Sequence, residues 1–258
     1  MATWVATQAG NWSRTSNNAD SPWYDAGVQS ALSAIPATGD TVNLATYAVA
    51  MDIAAIPATG ALALLTASGV GKLTIDMDAL GAASIAAAEI VAGTNTVANG
   101  GLLSPTNLTG ADATLLITGN LTGGTVTYAT ALALNGTMQG AVTVIGNVSG
   151  GTGVQSYGLS KSQGGVAPLV TVIGDFIAGS GRGANALWQV YPATTASVRH
   201  TGNIVNGIVS AFGAGMPLWN NNLADGEDYY VQQTIDGTTD VKFVAQRRIR
   251  AGAMRRIG

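Results

Sequence analysis

Four stretches of the chain decide its fold: Ile117-Thr118-Gly119-Asn120-Leu121, Val144-Ile145-Gly146-Asn147-Val148, Val172-Ile173-Gly174-Asp175-Phe176 and, more weakly, His200-Thr201-Gly202-Asn203-Ile204. Each reads aliphatic, Gly, Asn or Asp, aliphatic. The glycines at 119, 146, 174 and 202 follow one another in steps of 27, 28 and 28 residues. A period of that size marks stacked structural repeats. Upstream of the glycines, Leu115, Val142, Val170 and Val198 align in one column, and Ile117, Val144, Val172 and His200 in a second, two residues on. Residues two apart share a face of a strand, so both columns are predicted to point inward. Leu116, Thr143, Thr171 and Arg199 between them are predicted to point outward.

Short strands and tight turns at this period predict an all-β, single-stranded, right-handed parallel β-helix with a coil of about 28 residues. Each coil is expected to hold three short strands, for example around Thr125–Ala129 and Ala131–Leu134. One coil cannot bury its inward face. A stack of coils buries a continuous aliphatic column and pairs each backbone group with the coil above or below. Earlier coils are expected around Ser68-Gly69 and Ala92-Gly93, in looser register.

The composition agrees. Apolar residues make up 47 % of the 258 residues, enough for a sizeable core, and charged residues only 10 %, against a usual quarter. The 35 glycines, with abundant Ala, Thr and Asn, suit narrow strands and turns that need positive φ. The apolar content excludes a disordered low-complexity chain. With no cysteine, a disulfide framework, a thiolate metal site and a Cys nucleophile are excluded. Met1-Ala2-Thr3-Trp4-Val5 does not read as a secretory signal. The most apolar window, Tyr47 to Leu65, contains Asp52 and Pro57 and makes a poor membrane span. A soluble protein that does not engage a membrane is expected.

Three segments follow. Residues 1–60, punctuated by Trp4, Trp12, Pro22 and Trp23, are expected to cap the stack, with a short helix over Asp25–Ile35 stopped by Pro36, a turn then strand over Gly39–Leu44 and a second strand over Ala48–Ile53. Residues 61–218 are expected to form the β-helix. Residues 219–258 are expected to hold a hairpin, Tyr229–Thr234 with Thr239–Val244 about Asp236-Gly237, and a basic tail. Charge divides along the same line. Residues 1–241 carry 5 basic and 14 acidic side chains, whereas 242–258 carry six basic ones (Lys242, Arg247, Arg248, Arg250, Arg255, Arg256) and no acid. A basic tail on an acidic body predicts an acidic partner for the tail. Arg247, Arg248, Arg250, Arg255 and Arg256 are the candidate docking residues, because guanidinium groups pair bidentately with carboxylates. An acidic protein surface is favoured over nucleic acid.

The other candidates read as structural. Asn120, Asn147, Asp175 and Asn203 form a polar column that is expected to stack as a ladder rather than to bind a ligand. An ice-binding row is disfavoured, since only Thr143 and Thr171 align. His200, the one histidine, stands in an inward column and has no metal-ligating neighbours in sequence. Glycoside hydrolysis needs two carboxylates, yet residues 113–224 contain only Asp175. Asp76 and Asp78 flank Met77 and are expected on one side of a strand as a solvated pair. Asp225, Glu227 and Asp228 offer hard oxygens for calcium but lack the spacing of a calcium loop. Gly179-Ser180-Gly181-Arg182-Gly183 and Gly71-Lys72 lack the strand-to-helix setting of a phosphate loop. No catalytic, metal or cofactor-binding residue is expected.

A Cys-free, Gly/Ala/Thr/Asn-rich β-helix of this kind resembles virion structural proteins of tailed bacteriophages, such as head decoration proteins and tail fibres or spikes. Gly10-Asn11-Trp12-Ser13 and Pro36-Ala37-Thr38-Gly39-Asp40-Thr41-Val42 are similar to the lead-in of many surface β-helix proteins, and Arg247–Gly258 resembles the short basic ends of phage structural proteins. The resemblance implies a non-enzymatic virion protein, assembled in the host cytoplasm. It would be homotrimeric, dock on other virion proteins through its basic end, and meet a host surface glycan. A tailspike polysaccharide depolymerase and a bacterial surface adhesin are the alternatives.

Overall fold

The computed structural model describes residues 1–24, 34–96, 98, 100–107, 110, 112–135, 139–162, 169–181, 184–189, 198–202, 204–205, 209–210, 213–214, 218–220, 228–235 and 239–247. Most of the helix expected over Asp25–Ile35 and the turn at Asp236-Gly237 lie outside the described residues.

The chain winds back and forth between two sheets. It opens with β1 (Thr3–Val5) and β2 (Gly10–Asn11), then β3 (Thr41–Asn43) and β4 (Ala48–Met51). β5 (Ala55–Ile56) leads to β6 (Leu62–Thr66) and β7 (Lys72–Asp76), which runs into one helical turn, α1 (Met77–Leu80). β8 (Ala82–Val91) and β9 (Leu103–Thr106) follow, then β10 (Thr114–Thr122) and β11 (Thr130–Asn135). The next coils are β12 (Ala141–Ile145), β13 (Val148–Ser149) and β14 (Tyr157–Ser162), then β15 (Leu169–Ile173), β16 (Phe176–Ile177) and β17 (Leu187–Gln189). After β18 (Val198–His200) and β19 (Ile204–Val205) come a small antiparallel pair, β20 (Val209–Ser210) with β21 (Gly213–Ala214), and β22 (Leu218–Asn220). A hairpin of β23 (Asp228–Ile235) and β24 (Thr239–Arg247) follows.

The first sheet runs β1-β3-β6-β8-β10-β12-β15-β18-β23-β24, and the second β2-β4-β7-β9-β11-β14-β17-β22. Within both sheets every described pairing is parallel except that of the hairpin. This is the parallel β-solenoid that the glycine period predicts, with almost no helix among the described residues. Residues 1–60 contribute β1 to β5, and β23 pairs in parallel with β18.

From β10 to β16 the inward columns are as read from the sequence. Leu115, Val142 and Val170 are buried, as are Ile117, Val144 and Val172, and beyond the glycines Leu121, Val148 and Phe176. The register Leu115↔Val142↔Val170↔Val198 superposes them coil on coil. From the second sheet Leu73, Leu103, Leu132, Leu159 and Leu187 form a buried leucine column facing them. His200 occupies the register position next to Val172.

The three strands per coil arise differently from the expectation. Two belong to the first sheet, whose strand is interrupted at the glycine (β12 and β13, β15 and β16), and one to the second. Thr125–Ala129, expected as a strand, is a turn. Gly124 lies so close to the Gly93 carbonyl of the previous coil that no side chain fits there, and Tyr128 has φ 62°. These two features turn the chain despite the β-forming Thr-Val-Thr-Tyr sequence.

At the start of the stack, three tryptophans fill the space beside the first coils. Trp23 meets Trp12 edge to face at 4.9 Å and Trp4 at 6.2 Å. Its Nε1 donates to the Trp12 carbonyl at 3.0 Å. Among the described residues no helix is long and apolar enough to cross a membrane.

Candidate functional site: the polar column and the basic end

The glycine of each repeat is there for two reasons. Gly119 and Gly146 have φ of 136° and 147°, which residues with a Cβ rarely adopt. A Cβ on Gly146 or Gly174 would also run into the carbonyl of the glycine one coil earlier, and one on Gly119 into that of Ala87. The strand breaks at this point, and the next residue's amide loses its place in the ladder. The side chain of the Asn one coil earlier supplies the acceptor. Asn120 Oδ1 accepts the Asn147 backbone N–H at 3.0 Å, and Asn147 Oδ1 accepts the Asp175 backbone N–H at 2.9 Å. The backbone carbonyls are used in the opposite sense: Leu121 N–H donates to Asn147 O and Val148 N–H to Asp175 O. Both bonds are partly buried, and a fully buried backbone donor left without an acceptor costs about 1–3 kcal/mol, so these side chains are part of the backbone's own hydrogen bonding.

The column starts one coil earlier than the repeat suggests. Asn120 Nδ2 donates to Glu89 Oε1 at 3.0 Å. Glu89 is paired in register with Asn120 across a bulge. β8 has one more residue between Ile85 and Ile90 than β10 has between Ile117 and Leu121, which hides Glu89 from a fixed-period alignment. Asn203 lies outside the described residues.

Other polar side chains bridge coils at the turns. Asn43 Oδ1 accepts the Ser68 N–H at 2.9 Å and the Ala45 N–H at 2.8 Å. The buried Asn95 donates through Nδ2 to the carbonyls of Val70 and Gly71. The buried Ser156 hydroxyl lies 2.9 Å from Gly124 O and 3.1 Å from Ala129 O. Gly179-Ser180-Gly181 sits directly on Gly151-Thr152-Gly153, with Gly181 N–H donating to Gly151 O at 3.3 Å, and no helix follows it among the described residues. Arg182 and Gly183 lie outside them.

The acids are held one by one. Asp40, 8 % exposed, accepts the Ala2 N–H at 2.6 Å, the Trp4 indole N–H at 2.8 Å and the Ala37 N–H at 3.1 Å. Burial pushes its pKa up, but these donors outweigh burial and hold it below the ordinary carboxylate value. Asp52 accepts the Ser13 N–H at 2.9 Å and the Ser13 hydroxyl at 2.5 Å. Asp76 and Asp78 do not share a strand face. The strand ends at Asp76, which caps α1 by accepting the N–H groups of Asp78 at 3.2 Å and Ala79 at 3.3 Å. Asn107 Nδ2 binds the same oxygen at 3.3 Å. An aspartate satisfying the free N–H groups of a helix start is favoured over a continued strand, and Gly81, with φ 66°, ends the turn. Tyr157 is buried, and desolvation, followed by the proximity of Tyr128, raises its pKa. Among the described residues no three His, Cys, Asp or Glu side chains are grouped to hold a metal ion.

No protein family, curated protein or solved structure matches this chain. Its reading therefore rests on the chain itself.

At the C-terminal end, Arg247 is the last residue of β24, at the register position opposite Asp228. Arg248, Arg250, Arg255 and Arg256, and likewise Asp225 and Glu227, lie outside the described residues.

Proposed function

We propose that this chain is a non-enzymatic structural protein of a bacteriophage particle, a capsid decoration or fibre protein. Its solenoid acts as a rigid body, several copies associate, a trimer being the arrangement its resemblance implies, and the basic C-terminal end docks on an acidic protein surface of the particle. One observation carries the reading. The carboxylates of Asp40, Asp52 and Glu89 are each engaged in linking coils, by backbone N–H groups or by Asn120, Asp76 caps α1, and the Asn column is bonded to backbone amides. The polar groups of the stack serve its shape, while the unbalanced positive charge collects in residues 242–258.

Mass spectrometry of purified particles, with and without deletion of residues 248–258, which follow β24, tests it. The full chain is expected at stoichiometric occupancy, and the truncated chain is expected to fold with unchanged β-type circular dichroism yet be absent from particles. Unchanged occupancy overturns the docking role, and absence of the full chain overturns the virion role. In a reducing-sugar assay on host capsule or lipopolysaccharide the protein is expected to release nothing; release of reducing ends would establish a depolymerase instead.

A further inference from the structure

The hairpin of β23 and β24 brings two runs of opposite charge to one end. β23 begins at Asp228 and β24 ends at Arg247, and the antiparallel register sets these two residues opposite each other. Counting outward from that pair, the sequence is mirrored. Upstream, the first and third residues are Glu227 and Asp225; downstream, the first and third are Arg248 and Arg250. Asp225-Gly226-Glu227-Asp228 carries three acids, and Arg247-Arg248-Ile249-Arg250 three arginines. Inside the hairpin the match stops: Lys242 stands opposite Gln232 and Asp240 opposite Thr234. Arg255 and Arg256 have no counterpart, because the next acid upstream of Asp225 is Asp175.

We propose that Asp225, Glu227 and Asp228 hold Arg247, Arg248 and Arg250 in the free protein, and that docking exchanges these acids for those of the partner. Opposed residues of an antiparallel pair lie about 4.5–5.5 Å apart, and opposite charges placed so attract. The flanking charges are tethered to the same end: three residues span at most about 10 Å, close to the screening length of about 8 Å at physiological salt. The tether gives the chain's own carboxylates a high effective concentration at these guanidinium groups. A guanidinium takes a carboxylate from either source in the same bidentate way. A partner therefore competes with residues 225–228 for the first three arginines, whereas Arg255 and Arg256 have no acid to leave. The contact moderates docking rather than blocking it, since exposed ion pairs are weak. The competition rests on the docking role in the reading above; the pairing does not.

Arginine modification by phenylglyoxal, mapped by mass spectrometry on the full chain, tests the pairing without any partner. At low salt Arg248 and Arg250 are expected to react at least about threefold more slowly than Arg255 and Arg256. Asp225→Asn/Glu227→Gln is expected to remove the difference, and so is high salt on the wild type, which needs no variant. Equal rates in the wild type at low salt overturn the pairing. Fluorescence anisotropy with a labelled oligo-glutamate peptide tests the competition. Asp225→Asn/Glu227→Gln is expected to bind the peptide about three- to tenfold more tightly than wild type, the gap closing in high salt. Asp20→Asn/Asp112→Asn makes the same change of net charge at two exposed acids far along the chain, and is expected to gain less than about twofold. An equal gain in the two variants overturns the local contact. Slow Arg248 and Arg250 with no peptide binding by any of the chains overturns the docking reading and the competition with it.

Discussion

The coils between Thr114 and Gln189 and those between Thr3 and Thr106 build the same two sheets by different means. In the later coils one solution is repeated: Gly at the strand break, Asn or Asp after it, and a bond to the equivalent residue 27 or 28 positions away. In the earlier coils the corresponding links span 38, 25 and 31 residues, and each is made by a different device. These are Asp40 under Trp4, Asn43 at a turn, and Glu89 beneath Asn120. A solenoid constrains the rung spacing and the inward face, and it leaves the turns free to differ in length. Where turns keep one length, one side chain serves every coil. Where they do not, each coil needs its own.

That contrast can be broken from either side. The largest effect is expected from Gly146→Val, which places a side chain against the Gly119 carbonyl at φ 147°. It is expected to cost at least about 4 kcal/mol, or to prevent folding, as read by urea denaturation; a loss under about 1 kcal/mol would show that the coils are not in van der Waals contact there. Trp23→Ala strikes the irregular half. Removing the ring between Trp4 and Trp12 is expected to cost about 3–5 kcal/mol, and hydrogen exchange is expected to show β1 to β4 opening ahead of β10 to β17. Uniform opening would mean that the stack unfolds as one unit and that the two regions do not differ in stability.

The regular half was legible because its residues repeat. Alternation gave the inward Leu115 and Ile117 columns, and the Asn column emerged from the same alignment. The earlier coils were not legible because a fixed period cannot follow turns of changing length. The extra residue in β8 displaced Glu89, and a capping role for Asp76 depends on α1, a single turn too short to show a helical period. The buried turn residues Asn95 and Ser156 look in sequence like ordinary loop polar residues, and only the stacking shows that their partners are carbonyls one coil away. Leu116 falls in the outward column of the alignment, whereas Ile145 and Ile173, which are exposed as well, stand inside the glycine motif itself.

Two smaller effects sharpen the comparison. Asn147→Ala leaves the Asp175 N–H without its acceptor and is expected to cost about 1–3 kcal/mol, with Asn147→Asp, which keeps an oxygen in place, close to neutral in thermal denaturation. The smallest concerns pH. Because the folded pKa of Asp40 lies below its unfolded value, near 3.9, its contribution is fully present above that value and is lost as pH falls through the folded one. Exchange of the Trp4 indole N–H is expected to accelerate on acidification through that window, and Asp40→Asn to remove the dependence. Exchange that is flat with pH in wild type would contradict the role given to this carboxylate.

The central claim is that the regular polar column is a structural ladder. Amide hydrogen exchange at Asn147 and Asp175, followed by nuclear magnetic resonance, tests it most directly. Both amides are expected to be protected to the same degree as those of Val144 and Val172, and Asn120→Ala is expected to expose the Asn147 amide while leaving that of Asp175 protected. Rapid exchange at both positions in the folded wild-type protein would contradict the account.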